Sequence, residues 1–99
     1  MVTWLNVVRK IAPGQSVPYY ARSRKSQCQA FSIVDVSNGA VEVRATTGGL
    51  RRITRANFEA VADVWEDYKA ERIPRASVPT FNSSYILSLI NLLEQNTVS

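Results

Sequence analysis

The strongest constraint on this chain is the stretch QAFSIVDVSNGAVEVRA, from Gln29 to Ala45. Two runs rich in β-branched and aromatic residues, 29–36 and 40–45, flank Asn38-Gly39. A two-residue turn between antiparallel strands favours positive φ at both central positions, and Asn-Gly accepts it at least cost. In the second run Val41 and Val43 alternate with Glu42 and Arg44. That is the period of a strand with one buried and one wet face. An antiparallel hairpin is expected, and other elements must cover its apolar side.

The flanking segments extend the sheet. QSVPYYAR (15–22) reads as extended, because a residue before proline is pushed out of the α region. Pro18 has no N–H to give, so this strand belongs at a sheet edge or begins late. SRKSQC (23–28) is a polar turn, Gly48-Gly49 makes another, and LRRI (50–53) is a short fourth strand. TWLNVVRKI (3–11) puts Trp4, Leu5, Val8 and Ile11 on one helical face with Thr3 as cap, although its valines also permit a strand. Pro13-Gly14 ends it either way. Thr54 reads as the N-cap of a helix over 55–73, with Phe58, Val61, Ala62, Trp65 and Tyr68 on one face and Pro74 as the stop. PRASVPTF (74–81) crosses over irregularly. Asn82 or Ser83 then caps SSYILSLINLLEQN (83–96), where Ile86, Leu87, Leu89, Ile90, Leu92 and Leu93 cover most of the circumference. Ser84, Ser88, Asn91 and Gln95 form its polar stripe. A helix this apolar is either the centre of the core or a homodimer seam made by one patch used twice. The expectation is a single α+β domain over residues 1–99, a three- to four-stranded antiparallel sheet packed against two or three helices.

Charge narrows the partners. The net +4 is unevenly spread. Residues 1–55 hold nine Lys/Arg against two acids, and residues 56–99 hold three against six. Such polarity suits a basic surface that meets a polyanion, or two halves that attract each other. Arg22, Arg24 and Lys25 lie between the first two strands, Arg44 on the third, Arg51 and Arg52 after the Gly-Gly turn, and Arg55 in the first helical turn behind it. Gathered on one side, these seven would neutralise phosphates and release counterions. Tyr19 and Tyr20 could stack on bases. No helix-turn-helix, RNP or zinc-finger spacing accompanies them, so the expectation of a DNA partner rests on charge.

Other chemistry finds less material. The chain has no histidine and one cysteine, Cys28, which excludes a Ser-His-Asp triad, a Cys-His pair and the usual zinc sites within it. Arg24 and Lys25 could depress the Cys28 thiol, but a small half-buried residue at a strand start is the plainer reading. Asp67-Tyr68-Lys69, near Asp63, matches the D-x-K of metal-dependent nucleases. On a helix, however, Asp67 and Lys69 diverge by about 200°. NSSYI (82–86) offers hydroxyls at a helix start, for phosphate or simply for capping. Trp4 and Trp65 read as core rather than as a cofactor box. No catalytic residue, metal or cofactor is expected. No apolar run reaches the ~18 residues of a membrane span, and the N-terminal residues lack the order of a secretory leader. The expected compartment is cytoplasmic, which a lone cysteine suits.

Residues 41–93 also carry a resemblance, in Ile53-Thr54, Phe58, Trp65, Tyr68 and Asn82–Ile86. Their order resembles small α+β proteins of bacterial mobile DNA, of the kind found in integron gene cassettes and defence loci. The resemblance covers about half the chain. It implies a compact protein near DNA transactions and brings no catalytic residues. The rival expectation is a homo-oligomeric interaction module whose helices pair and whose basic strands meet an acidic protein.

Overall fold

The computed structural model describes residues 2–20, 30–45, 48–74, 77–78 and 82–96. Its first element is a helix, α1 (Trp4–Lys10). Thr3 favours that outcome through a reciprocal cap: its side chain accepts the Asn6 N–H, and the Asn6 side chain accepts the Thr3 N–H. Trp4, Val7 and Ile11 are buried and Val8 half-buried, a 3–4 spacing that defines one helical face. Leu5, expected inward, falls one step around the helix and is 56% exposed. The Trp4 Nε1–H donates to the Asn38 carbonyl at 2.8 Å and ties α1 to the hairpin.

The sheet is β1 (Ser16–Pro18), β2 (Ala30–Val36), β3 (Ala40–Arg44) and β4 (Leu50–Thr54), antiparallel in the order 1-2-3-4. Pro18 lies on an edge strand, where its missing N–H disturbs no second ladder. Strict alternation along β2 would bury Asp35. A β-bulge between Ile33 and Asp35 inserts one residue, so Asp35 turns to solvent opposite Glu42 and Val36 turns inward opposite Val41. The turn at Asn38-Gly39 differs from expectation. Neither residue takes a positive φ; among the described residues only Gly14, Gly48 and Glu71 do. The Ser37 N–H and Oγ–H both donate to the Ala40 carbonyl, at 2.9 and 3.0 Å, and close the turn without a left-handed residue.

The helix expected over 55–73 is two. Thr54 caps α2 (Arg55–Ala62) by accepting the Asn57 N–H, as expected. The chain then tightens at Asp63-Val64, where Val64 N–H bonds the carbonyl three residues back. A β-branched residue of low helix propensity stands at this junction. The change of direction brings α3 (Trp65–Lys69) against Tyr20, with ring centroids 5.3 Å from Trp65 and 6.5 Å from Tyr68. Helix α3 ends before Pro74 is reached. Glu71 adopts φ 63, Arg72 N–H bonds Asp67 C=O, and Glu71 N–H bonds Tyr68 C=O. That pattern is a Schellman stop with glutamate in the position glycine usually takes.

Helix α4 (Ser83–Asn96) packs against β1, α1 and α2. Ile86, Leu87, Leu89, Ile90 and Leu93 are all buried, so intramolecular packing takes up its apolar circumference. Ser88, expected on the polar stripe, is buried as well. Its Oγ–H donates to the Ser84 carbonyl and its oxygen accepts the Tyr20 N–H, which satisfies both. The architecture is α+β, an antiparallel sheet packed with helices on one face; on the other, called the open face, Ser32, Arg44, Leu50 and Arg52 are exposed among the described residues. No helix among the described residues is long and apolar enough to cross a membrane.

Candidate nucleic-acid interface

Arg22, Arg24, Lys25 and Cys28 lie outside the described residues, as does the whole polar turn expected over 23–28. The other four predicted cations sit on or beside the β3–β4 ribbon. Register assigns their faces. Val41 pairs with Ile53 and Val43 with Arg51 on the helix side of the sheet; Glu42 pairs with Arg52 and Arg44 with Leu50 on the open side. Arg44 and Arg52 are therefore diagonal neighbours on the open face, within about 7–8 Å at the backbone. Arg51, adjacent in sequence to Arg52, points the other way. Arg55 opens α2 at the far end of β4, about 13 Å along the strand from Leu50.

Each side chain has company. Arg44 Nη1 donates to the Gly48 carbonyl at 3.2 Å. Arg52 Nη1 lies 4.0 Å from Glu42 Oε2, an exposed and weak contact. Arg55 Nε donates to Glu59 Oε2 at 3.0 Å along the helix. The Tyr85 hydroxyl has the Arg51 guanidinium and the Tyr19 phenol as polar neighbours. Burial is the leading cause that raises the Tyr85 pKa, Tyr19 adds to it, and Arg51 opposes it. Across the described residues eight Lys/Arg meet eight Asp/Glu, so the surplus of +4 belongs to Arg22, Arg24, Lys25 and Arg75.

The strand ends that bracket residues 21–29, Pro18 and Ala30, pair with each other at one end of the sheet. The β3–β4 turn, with Gly48 at φ 96, lies at that same end, and Ser32 pairs with Arg44 two residues in from Ala30. Arg44 and Arg51 thus lie toward the same sheet end as Pro18 and Ala30. Arg52 lies further along and Arg55 beyond it.

Tyr19 and Tyr20 are half-buried, each in contact with two aromatic rings. Tyr19 packs on Phe31 and Tyr85, and Tyr20 on Trp65 and Tyr68, all within 6.5 Å between centroids. The Tyr20 backbone N–H also donates to Ser88 Oγ at 2.9 Å. The D-x-K pair is also accounted for. Asp67 Oδ1 accepts from Arg72 Nε at 2.8 Å, while Lys69 Nζ donates to Glu94 Oε1 at 3.1 Å, so the two groups serve different partners. The hydrogen bond to Glu94 leads in raising the Lys69 pKa, with burial opposing it. Glu94 also accepts the Trp65 Nε1–H, and Lys69 lies over the Trp65 ring. Asn82 precedes α4 and its carbonyl accepts the Ile86 N–H. Its Nδ2 donates to the Arg52 carbonyl at 2.7 Å, a bond not foreseen from sequence. The position of Arg51 was within reach: in LRRI, if Ile53 faces the core, so does Arg51.

On the helix side, two shallow depressions of about 240 and 270 Å³ meet at Val2. Trp4, Phe58, Trp65 and Ile90 contribute apolar lining, and Glu59, Asp63, Glu66 and Glu94 contribute carboxylates. No family model, curated protein or solved structure matches the chain.

Proposed function

We propose that this protein binds nucleic acid, DNA foremost, without catalysing a reaction on it. The supporting observation is that Arg44, on the open face, and Arg51, on the helix side, stand at the same sheet end as Pro18 and Ala30, the strand termini that bracket Arg22, Arg24 and Lys25. Arg52 extends the contact along the open face, and Arg55 marks its far limit. The exposed pairs Arg52–Glu42 and Arg55–Glu59 cost little to exchange for phosphate, because exposed ion pairs contribute about 0–1 kcal/mol. The reading takes the protein as cytoplasmic and, from its resemblance, as belonging to mobile DNA. The alternative, a homodimer through α4, has less to draw on: of the apolar and aromatic side chains described on α4, Tyr85 and Leu92 are half-buried and the others are buried.

A labelled duplex of random sequence, followed by anisotropy, tests the reading. Affinity should fall by roughly two to three orders of magnitude between about 50 and 200 mM salt, the slope expected for some five phosphate contacts. Arg44→Ala with Arg52→Ala should lower the slope by about two. Absence of binding at the lower salt, or binding indifferent to salt, would contradict it.

A further inference from the structure

Among the described residues the strands of the open face carry two cations and two carboxylates, and these are not interleaved. Across one row of the sheet, from β2 to β4, stand Asp35, Glu42 and Arg52, each paired with the next. Arg44 lies two residues from Glu42 on the same strand and face, toward the Gly48 end, opposite Leu50. Arg55 follows where β4 runs into α2. Positive charge therefore runs from Arg44 through Arg52 to Arg55 on the β4 side. Negative charge stands across from it, near the far end of β2.

The bulge between Ile33 and Asp35 creates this division. It turns Asp35 to the open face, opposite Glu42. Like charges directly opposite on neighbouring strands cost stability. Arg52 answers Glu42 only from 4.0 Å, with its own side chain 66% exposed, and Asp35 lies one strand further off. A polyanion laid on this face meets both signs. Its phosphates gain from the arginines and lose near the carboxylates. Cross-strand neighbours lie about 5 Å apart, well inside a Debye length of about 10 Å, so salt does not blur the two sides into one. Repulsion selects among bound orientations as attraction does.

We propose that Asp35 and Glu42 form a repulsive border that keeps a nucleic-acid backbone off the far end of β2 and directs it along β4, over Arg44, Arg52 and Arg55. The border rests on the nucleic-acid reading and adds an orientation to it.

Two measurements on the whole chain test it: anisotropy with a labelled random-sequence duplex at low salt, and a backbone amide map with the same duplex unlabelled. Asp35→Asn is the cleaner variant, because Arg52 pairs with Glu42 and not with Asp35. It should tighten duplex binding about twofold to threefold, and Asp35→Asn with Glu42→Gln about fivefold or more, as loss of unit charges a few ångströms from phosphates predicts. Asp63→Asn removes the same charge at the C-cap of α2, on the helix side, and should tighten binding by less than about 1.5-fold. In the wild type the duplex should shift amides of β4 and leave residues 33–36 silent; in the double variant the shifts should spread to them. If wild type binds duplex and Asp35→Asn tightens it no more than Asp63→Asn, the border is overturned and the nucleic-acid function stands. Duplex-induced shifts at residues 33–36 of the wild type as large as those of β4 would have the same meaning. No duplex binding by wild type or variants would sink the function and the border with it.

Discussion

Gly39 and Gly48 sit in successive hairpins, yet a methyl group on each should act in opposite directions. Gly48 holds φ 96, a region where an L side chain is strained, so Gly48→Ala should cost about 1–2 kcal/mol. Gly39 is outside that region, and an added Cβ meets nothing within 4 Å. Gly39→Ala should be neutral or stabilise by up to about 1 kcal/mol through the unfolded state. Denaturant midpoints decide it; equal losses for both would mean that Asn38-Gly39 forms the left-handed turn its sequence favours. At this scale the sequence was a partial guide. Asn-Gly marked the place of the hairpin, because only turn chemistry is that local. The turn type depended on Ser37 and on the Trp4 bond to Asn38, contacts that local propensity does not contain. Ser88 is similar: its hydroxyl looked solvated by helical period, and its bond to Tyr20, 68 residues away, is legible only in three dimensions.

Elements follow pattern until packing re-aims them. The hairpin of β2 and β3, the caps at Thr3 and Thr54 and the edge role of Pro18 came from period, capping and proline chemistry, and all are present. The bulge in β2 and the break after α2 did not, because each answers a demand of the core: Asp35 must leave it, and Trp65 must reach Tyr20 and Glu94. The site was legible in residue type and less so in direction. Arg51 and Arg52 are neighbours in sequence and face opposite ways, as the two-residue period requires. The stop after α3 gives a prediction at this scale. Glu71 is a left-handed non-glycine residue, so Glu71→Gly should stabilise the protein by several tenths to about 1 kcal/mol, the relief of Cβ strain less the added freedom of the unfolded chain. A loss of more than that by thermal or denaturant melting would mean the Glu71 side chain holds a contact of greater weight.

For the whole molecule, charge and layering set behaviour with pH and with ligand. Lys69 and Tyr85 both keep their protons to higher pH when folded, Lys69 chiefly through its bond to Glu94 and Tyr85 chiefly through burial. A raised folded pKa contributes stability that is complete below the unfolded value and lost as pH climbs through the folded one. Midpoints of unfolding should therefore hold to about pH 9.5 and fall above about 10. Tyr85→Phe and Lys69→Met should each flatten the fall; a wild-type midpoint unchanged to about pH 11 would contradict the assignment. The layers meanwhile separate the open face, with Arg44 and Arg52, from the helical side, with Asp63, Glu66 and Glu94. The central claim is that the β3–β4 end of the sheet meets phosphates. A backbone amide map of the protein with a short duplex at low salt tests it most directly. The account predicts shifts concentrated at Arg44, Gly48 and Leu50–Arg52 and at residues next to the 21–29 segment, with α3 silent. Shifts centred on α2, α3 and Val2, or none at all, would contradict it.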